Sequence, residues 1–155
     1  WALKAQILLE EDWGVSASVW SVTSWNELRR DGLATDSHNL LHPDSKKSAY
    51  ISHKLADARG PVIAVSDFMR AVQDQIRDWV PNDFVSLGTD GWGMSDTRGA
   101  LRRHFLVDAH SITVQALAML AKGCEIPAER VQEAIDRYDL TNPKAASAGN
   151  TEGGG

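Results

Sequence analysis

Cysteine is nearly missing from this chain, with Cys124 the one copy in 155 residues. That excludes an internal disulfide and the usual cysteine metal cages, and it suits a reducing, intracellular setting, expected to be cytoplasmic. Basic charge is in deficit. Sixteen Lys and Arg stand against 21 Asp and Glu, for a net charge of -5. A nucleic-acid partner normally demands a basic face, so none is expected. Long apolar runs are lacking too. No stretch approaches the ~20 residues that span a bilayer, and no charged-then-apolar leader of secretory type is present. What remains is ordinary for one folded domain: 155 residues, 43% of them apolar. Tryptophan is the exception. Six copies are enough to fill a core or to line a subunit interface.

The pattern alternates helix and strand. Trp1 to Trp13 carries Leu3, Ile7 and Leu9 at helical spacing, with Gly14 suited to its C-terminal turn. Ser18 to Val22 alternates as a strand does. Ser24 and Glu27 form a capping box, which predicts a short helix from Trp25 to Gly32. Residues 34–45 read as a polar connection, and 46–57 as another helix anchored by Tyr50, Ile51 and Leu55. Val62 to Val65 is a continuous apolar run, typical of a parallel strand covered on both faces. Ser66 and Asp67 are suited to cap the helix that follows, with Met69, Val72, Ile76 and Trp79 as its anchors and Pro81 as its stop. A third strand is expected near residues 84–88. Asp108 is suited to cap a nearly all-apolar helix to Lys122, and Val131, Ile135 and Tyr138 mark a last amphipathic one.

This order predicts an α/β fold: three layers, a mostly parallel sheet with helices on both faces. Because the first readable element is a helix, a strand is expected ahead of Trp1, so that the first strand of the sheet is missing from this fragment. Residues 1–140 are taken as the domain and 141–155 as a disordered tail.

The most telling stretch is Leu87 to Asp108, where a strand opens into a loop with Gly88, Gly91 and Gly93 and closes on Ser95 and Asp96 before a helix. Its wording is rare. It resembles the last domain of the homodimeric, thiamine-diphosphate-dependent pyruvate dehydrogenase components, within the transketolase family. Four more stretches match that pattern in order: Val19 to Gly32, His38 to Pro43, Pro61 to Met69, and Trp79-Val80-Pro81. Trp92 departs from it, standing where Phe is commoner, and so does Leu106, where an acidic residue is common.

The resemblance implies a transketolase C-terminal-domain fold. It also implies a parent enzyme that decarboxylates pyruvate on thiamine diphosphate with Mg2+, linking glycolysis to the citric acid cycle. That enzyme then acetylates the lipoyl group of the acyltransferase component of its complex. The expected partners are a second copy of the chain and that acyltransferase. In this family the cofactor is held by earlier domains, absent here, and the last domain supports assembly. The family's cofactor motif, Gly-Asp-Gly followed by Asn-Asn, does not occur; Thr89-Asp90-Gly91 is only superficially similar. No dinucleotide fingerprint or P-loop is present either. The isolated fragment is therefore expected to be inactive, with no catalytic, cofactor or metal residues.

The candidate site is the glycine loop, with Thr89, Asp90, Trp92, Ser95, Asp96 and Arg98. It follows a strand, where ligands of open α/β sheets bind, and the amides at Ser95 to Arg98 suit an anion. The plainer reading is a tight turn and a helix cap. A third reading makes the loop an interface with Trp92 as its anchor, and the resemblance favours this over a ligand site. A binding module that contacts the acyltransferase core, or a small anion at the loop, is the alternative function.

Other groups read as ordinary. His38 and His42 have a zinc-compatible spacing, but Pro43 argues against a helix there and no third ligand is evident. His53 and His110 read as surface or cap residues. His104 follows Arg102 and Arg103 and reads as having no supported acid–base role. Cys124 lacks a base in sequence, and Asp57, Arg59, Arg102 and Arg103 read as a solvated face.

Overall fold

A computed structural model of the protein describes residues 1–142. All but the first two residues of the expected tail lie outside them. The chain runs α1 (Ala2–Trp13), α2 (Trp25–Leu41), α3 (Tyr50–Lys54), β1 (Val62–Val65), α4 (Arg70–Asp74), a single 3-10 turn (Arg77–Trp79), β2 (Phe84–Leu87), α5 (Arg98–His104), α6 (Ala109–Lys122) and α7 (Glu129–Arg137). The fold is α/β, as the alternation predicts.

β1 and β2 pair in parallel, with Val62 opposite Phe84 and Val65 opposite Leu87. Successive side chains on a strand point to opposite faces, and both faces are covered. Ile63, Val65 and Leu87 pack with Ala5, Leu8, Ala109 and Ile112 of α1 and α6. Val62, Ala64 and Phe84 pack with Trp25 and Leu28 of α2, Ile51 of α3, and Ile76 and Trp79. A third cluster joins Leu9 and Trp13 of α1, Val114 and Leu117 of α6, and Ala134 of α7. The caps of α1 and α6 fall where expected. Gly14 is left-handed (φ 66°) at the end of α1, and Asp108 accepts from Ser111 N at the start of α6.

Several local expectations need correction. The strand at 17–22 does not form, because neither β1 nor β2 pairs with it. Gln6 Nε2 donates to Ala17 O at 2.6 Å, but Val19, Trp20 and Val22 stay exposed. An alternating pattern needs a neighbouring strand before it becomes a ladder.

α2 does not end at Gly32 but runs on to Leu41. Gly32 serves packing, not termination. A Cβ there would stand 2.3 Å from Cδ2 of Trp79, so the bare backbone is what lets the indole lie flat on the helix. Trp79 Nε1 then donates to Asp36 Oδ2 at 3.0 Å, one turn further along. The helix stops at His42, before Pro43.

The helix expected over 46–57 shrinks to Tyr50–Lys54. Lys47 is held beside α2 by both ends of the Asn39 amide (2.7 and 3.0 Å), and Tyr50 N donates to Asp31 Oδ2 at 2.6 Å. Ser66 and Asp67 do not cap the next helix. Its N-cap is Met69, with no side-chain bond, while Ser66 Oγ accepts from Phe68 N at 3.0 Å.

Gly32→Ala is expected to lower stability by about 1–3 kcal/mol, because the added methyl must displace a packed indole. Urea unfolding followed by tryptophan fluorescence measures it. An unchanged midpoint would show that Trp79 has somewhere else to go.

Candidate functional site

Two loops leave the same end of the sheet and are tied to each other. Residues 66–69 follow β1, and residues 88–97 follow β2. Ser66 N donates to Leu87 O (3.1 Å) and Thr89 N to Phe68 O (2.9 Å). Thr89 Oγ1 donates to Asp67 O (2.8 Å), and Asp90 Oδ1 accepts from Arg70 N (2.9 Å). Gly88 is the contact point. A Cβ there would sit 2.4 Å from the Phe68 carbonyl oxygen, so only glycine lets the loops meet this closely.

Beneath the junction lies Gln73, fully buried. Oriented so that each end meets an opposite partner, its Nε2 donates to the carbonyls of Met69 and Arg70 (3.0 Å each). Its Oε1 then accepts from Ser66 N (3.2 Å). A buried amide must find partners, and here they are the backbone of the β1 loop.

At the back of the same strands Asp74 accepts from Ser86 Oγ and from Arg77, both at 2.7 Å. Partial burial opposes its charge, but these two hydrogen bonds and the arginine outweigh it. The carboxyl is held below the usual aspartate range.

What the junction displays is apolar. Trp92 is 94% exposed, Phe68 65%, Met69 59% and Met94 50%. The structure thus brings Thr89 and Asp90 onto the β1 loop and leaves Trp92 free above it. Ser95 and Asp96 do not cap α5 directly. Thr97 is the N-cap, accepting from Ala100 N at 3.3 Å, and Asp96 Oδ1 accepts from Thr97 N at 2.6 Å. Arg98 is the first residue of α5. Phe68 was not singled out in sequence, and Met69, read there as an anchor of the following helix, is instead its exposed N-cap. Their place at a strand's C-terminal end was the available signal.

The described residues do not fit a thiamine diphosphate and Mg2+ site. No group of three or more His, Cys, Asp or Glu among them could hold a metal ion. A groove of about 470 Å³ between α6 and α7 is lined by Ala118, Ala121, Val131 and Ile135, with Lys122 and Gln132 as its polar members. One lysine and no carboxylate is the wrong donor set for a metal diphosphate. His38 lies within α2 and His42 caps it, with rings 4.6 Å apart. His38 Nε2 lies 3.1 Å from Ser45 O. Cys124 is exposed.

Two arginine and histidine readings are overturned. Arg103 is not part of a solvated face; it is 6% exposed and ion-paired with Asp108. His110 is half-buried, its ring stacked on Tyr138.

The family model described as a transketolase-like C-terminal domain matches residues 1–108. That range takes in both strands and the whole glycine loop. The pyruvate dehydrogenase E1 component of Mycolicibacterium smegmatis is 51% identical over 154 residues, covering 99% of this chain and 17% of the relative. That of Mycobacterium tuberculosis is 49% identical over the same length, with the same coverage. That of Escherichia coli is 42% identical over 149 residues, covering 92% of this chain and 17% of the relative. The chain therefore spans about a sixth of the length of these curated relatives.

Asp90→Ala is expected to cost about 0.5–1.5 kcal/mol, the net worth of one hydrogen bond. Amide exchange at Arg70 should speed up with it. Unchanged exchange at Arg70 would show that the two loops hold together without this carboxylate.

Proposed function

The chain belongs to the transketolase-like C-terminal domain family, and from that premise we propose that it is the C-terminal domain of a pyruvate dehydrogenase E1 component. In this reading the whole enzyme decarboxylates pyruvate on thiamine diphosphate with Mg2+, hands the acetyl group to a lipoyl acyltransferase, and works as a cytoplasmic homodimer. This domain supplies assembly. It contributes the surface around the loop junction, with Trp92 as the anchor, against another part of that enzyme or its second copy. Among the described residues no helix is long and apolar enough to cross a membrane.

The observation that carries the reading is the contrast between a pinned backbone and an exposed tip. Four hydrogen bonds and a glycine contact hold the loop bases together, yet four large apolar side chains stay exposed. Aromatic and Met side chains are enriched at interfaces. The anion reading is weaker. Asp96 and Thr97 already place their own oxygens on the amides at the start of α5, where an anion would have to compete with a carboxylate.

Trp92→Ala tests this in the whole enzyme. Because the indole is exposed, the melting of the isolated 155-residue chain should shift by less than about 0.5 kcal/mol. Assembly of the full-length enzyme should weaken by about 1–3 kcal/mol, visible as dimer dissociation on dilution in sedimentation. An undisturbed dimer would remove Trp92 from the interface. Titration with the acyltransferase's subunit-binding segment would then reveal whether the tip serves that partner instead. The isolated chain given pyruvate, thiamine diphosphate and Mg2+ should release no carbon dioxide, and release would end the assembly reading.

A further inference from the structure

Four helices meet at one polar cluster, away from the loop junction. Arg103, in α5, is buried with four obligations. Its Nε pairs with Asp108, the cap of α6. Its Nη1 donates to the carbonyls of Tyr138 and Asp139, just past α7, at 3.3 Å each. Its Nη2 lies 3.0 Å from Nδ1 of His110, in the first turn of α6. Tyr138 closes the ring. It stacks on His110, with centroids 4.5 Å apart and planes 15° from parallel. Its hydroxyl donates to Asp12 (2.7 Å) and accepts from Trp13 Nε1 (2.8 Å), both in α1. Burial and the Asp12 contact push that hydroxyl up to about 12, so it stays a donor at any physiological pH.

This geometry fixes the protonation of His110. A guanidinium has donors only. The nitrogen it meets must therefore carry a lone pair, and the ring is the neutral tautomer with its proton on Nε2. A second proton on Nδ1 would turn that hydrogen bond into two facing donors of like charge.

We propose that His110 is a pH-sensitive latch that holds the end of α7 against α1 and α6, and that its protonation releases Tyr138 and the last turn of α7. The charged groups around the ring are Arg103 from α5, Asp108 at the α6 cap, Lys4 and Asp12 from α1, and Arg137, which pairs with Asp12. Burial disfavours the charged ring, Asp108 opposes that effect, and Arg103 and Lys4 add to it. The balance lies below the ordinary imidazole value of 6.5.

The sign follows from linkage. With a native value below the unfolded one, the unfolded state binds more protons as pH falls through about 6.5. The latch is therefore complete above that pH and is lost beneath it. Once released, α7 would uncover the apolar cluster around Leu9, Trp13 and Leu117 that it now covers.

The test uses the chain described. The His110 ring should titrate below about 6.5 in NMR. Hydrogen exchange at residues 131–140 should quicken between about pH 7 and pH 5 after correction for intrinsic rates, by up to tenfold per pH unit. His110→Asn keeps an acceptor for Arg103 but cannot titrate, so its α7 protection should stay level over the same range. A ring that titrates at or above the ordinary value would overturn the latch. So would unchanged exchange in the wild-type chain, or an equal acid-induced loss in the Asn variant. The ring titration is read on the wild-type protein and stands even if the variant folds poorly.

Discussion

A parallel strand pair of four residues each cannot be left wet on either side, and the placement of the other elements follows from that requirement. Parallel ladders form where helices cover both faces, and β1 meets the condition with four apolar residues in a row. Ile63 and Val65 on one side bind the α1 and α6 layer. Val62 and Ala64 on the other bind α2, α3 and the turn that carries Trp79. The need for the second cover explains Gly32. The Trp79 indole fills the space between β1 and α2 only because one helical position offers no side chain. Remove either layer and the sheet exposes an apolar side-chain face to water.

The same logic runs in reverse at the far side of the first layer. There the buried groups are polar, and each must be answered by another. Arg103, Asp108, His110, Tyr138 and Asp12 answer one another, so α5, α6, α7 and α1 are joined by one polar cluster. Buried ion pairs are poor sources of net stability, but breaking one partner is costly. The cluster therefore acts as a specifier of where α7 sits more than as a source of cohesion, which comes from Leu117 and its neighbours.

Local periodicity carried much of this into view. The α1, β1, β2, α6 and α7 patterns were legible because each buries a face whose spacing is its own signature, and Asp108 as a cap is a three-residue rule. What was hidden depends on distant partners. Gly32 reads as a helix stop until Trp79, far along the chain, is placed on it. Arg103 reads as surface until Asp108 and Tyr138 close around it. Thr97 outcompetes Ser95 and Asp96 as a cap by a shift of one or two positions, and sequence patterns resolve boundaries no better than that. At the candidate site Thr89, Asp90 and Trp92 were visible through the wording of the loop. Phe68 and Met69 were not, because only the crossing of the two loops brings them beside it.

The residues 17–22 and the loop tip are two forms of the same condition. Val19, Trp20 and Val22 on one side, and Phe68, Met69, Trp92 and Met94 on the other, are apolar side chains left in water, as are Leu3, Ile7, Leu40 and Leu41 on the helices. Such surface is costly to expose and prone to association. A tip that was merely loose could fold back and hide its apolar groups. Here Thr89, Asp90 and the glycine contact at residue 88 fasten the base of the loop to the β1 loop, and Trp92 stands two residues beyond the last of these ties, between Gly91 and Gly93. A fastened loop base that carries an exposed tryptophan suits a partner surface that covers it, and that contrast is what supports the proposed assembly role.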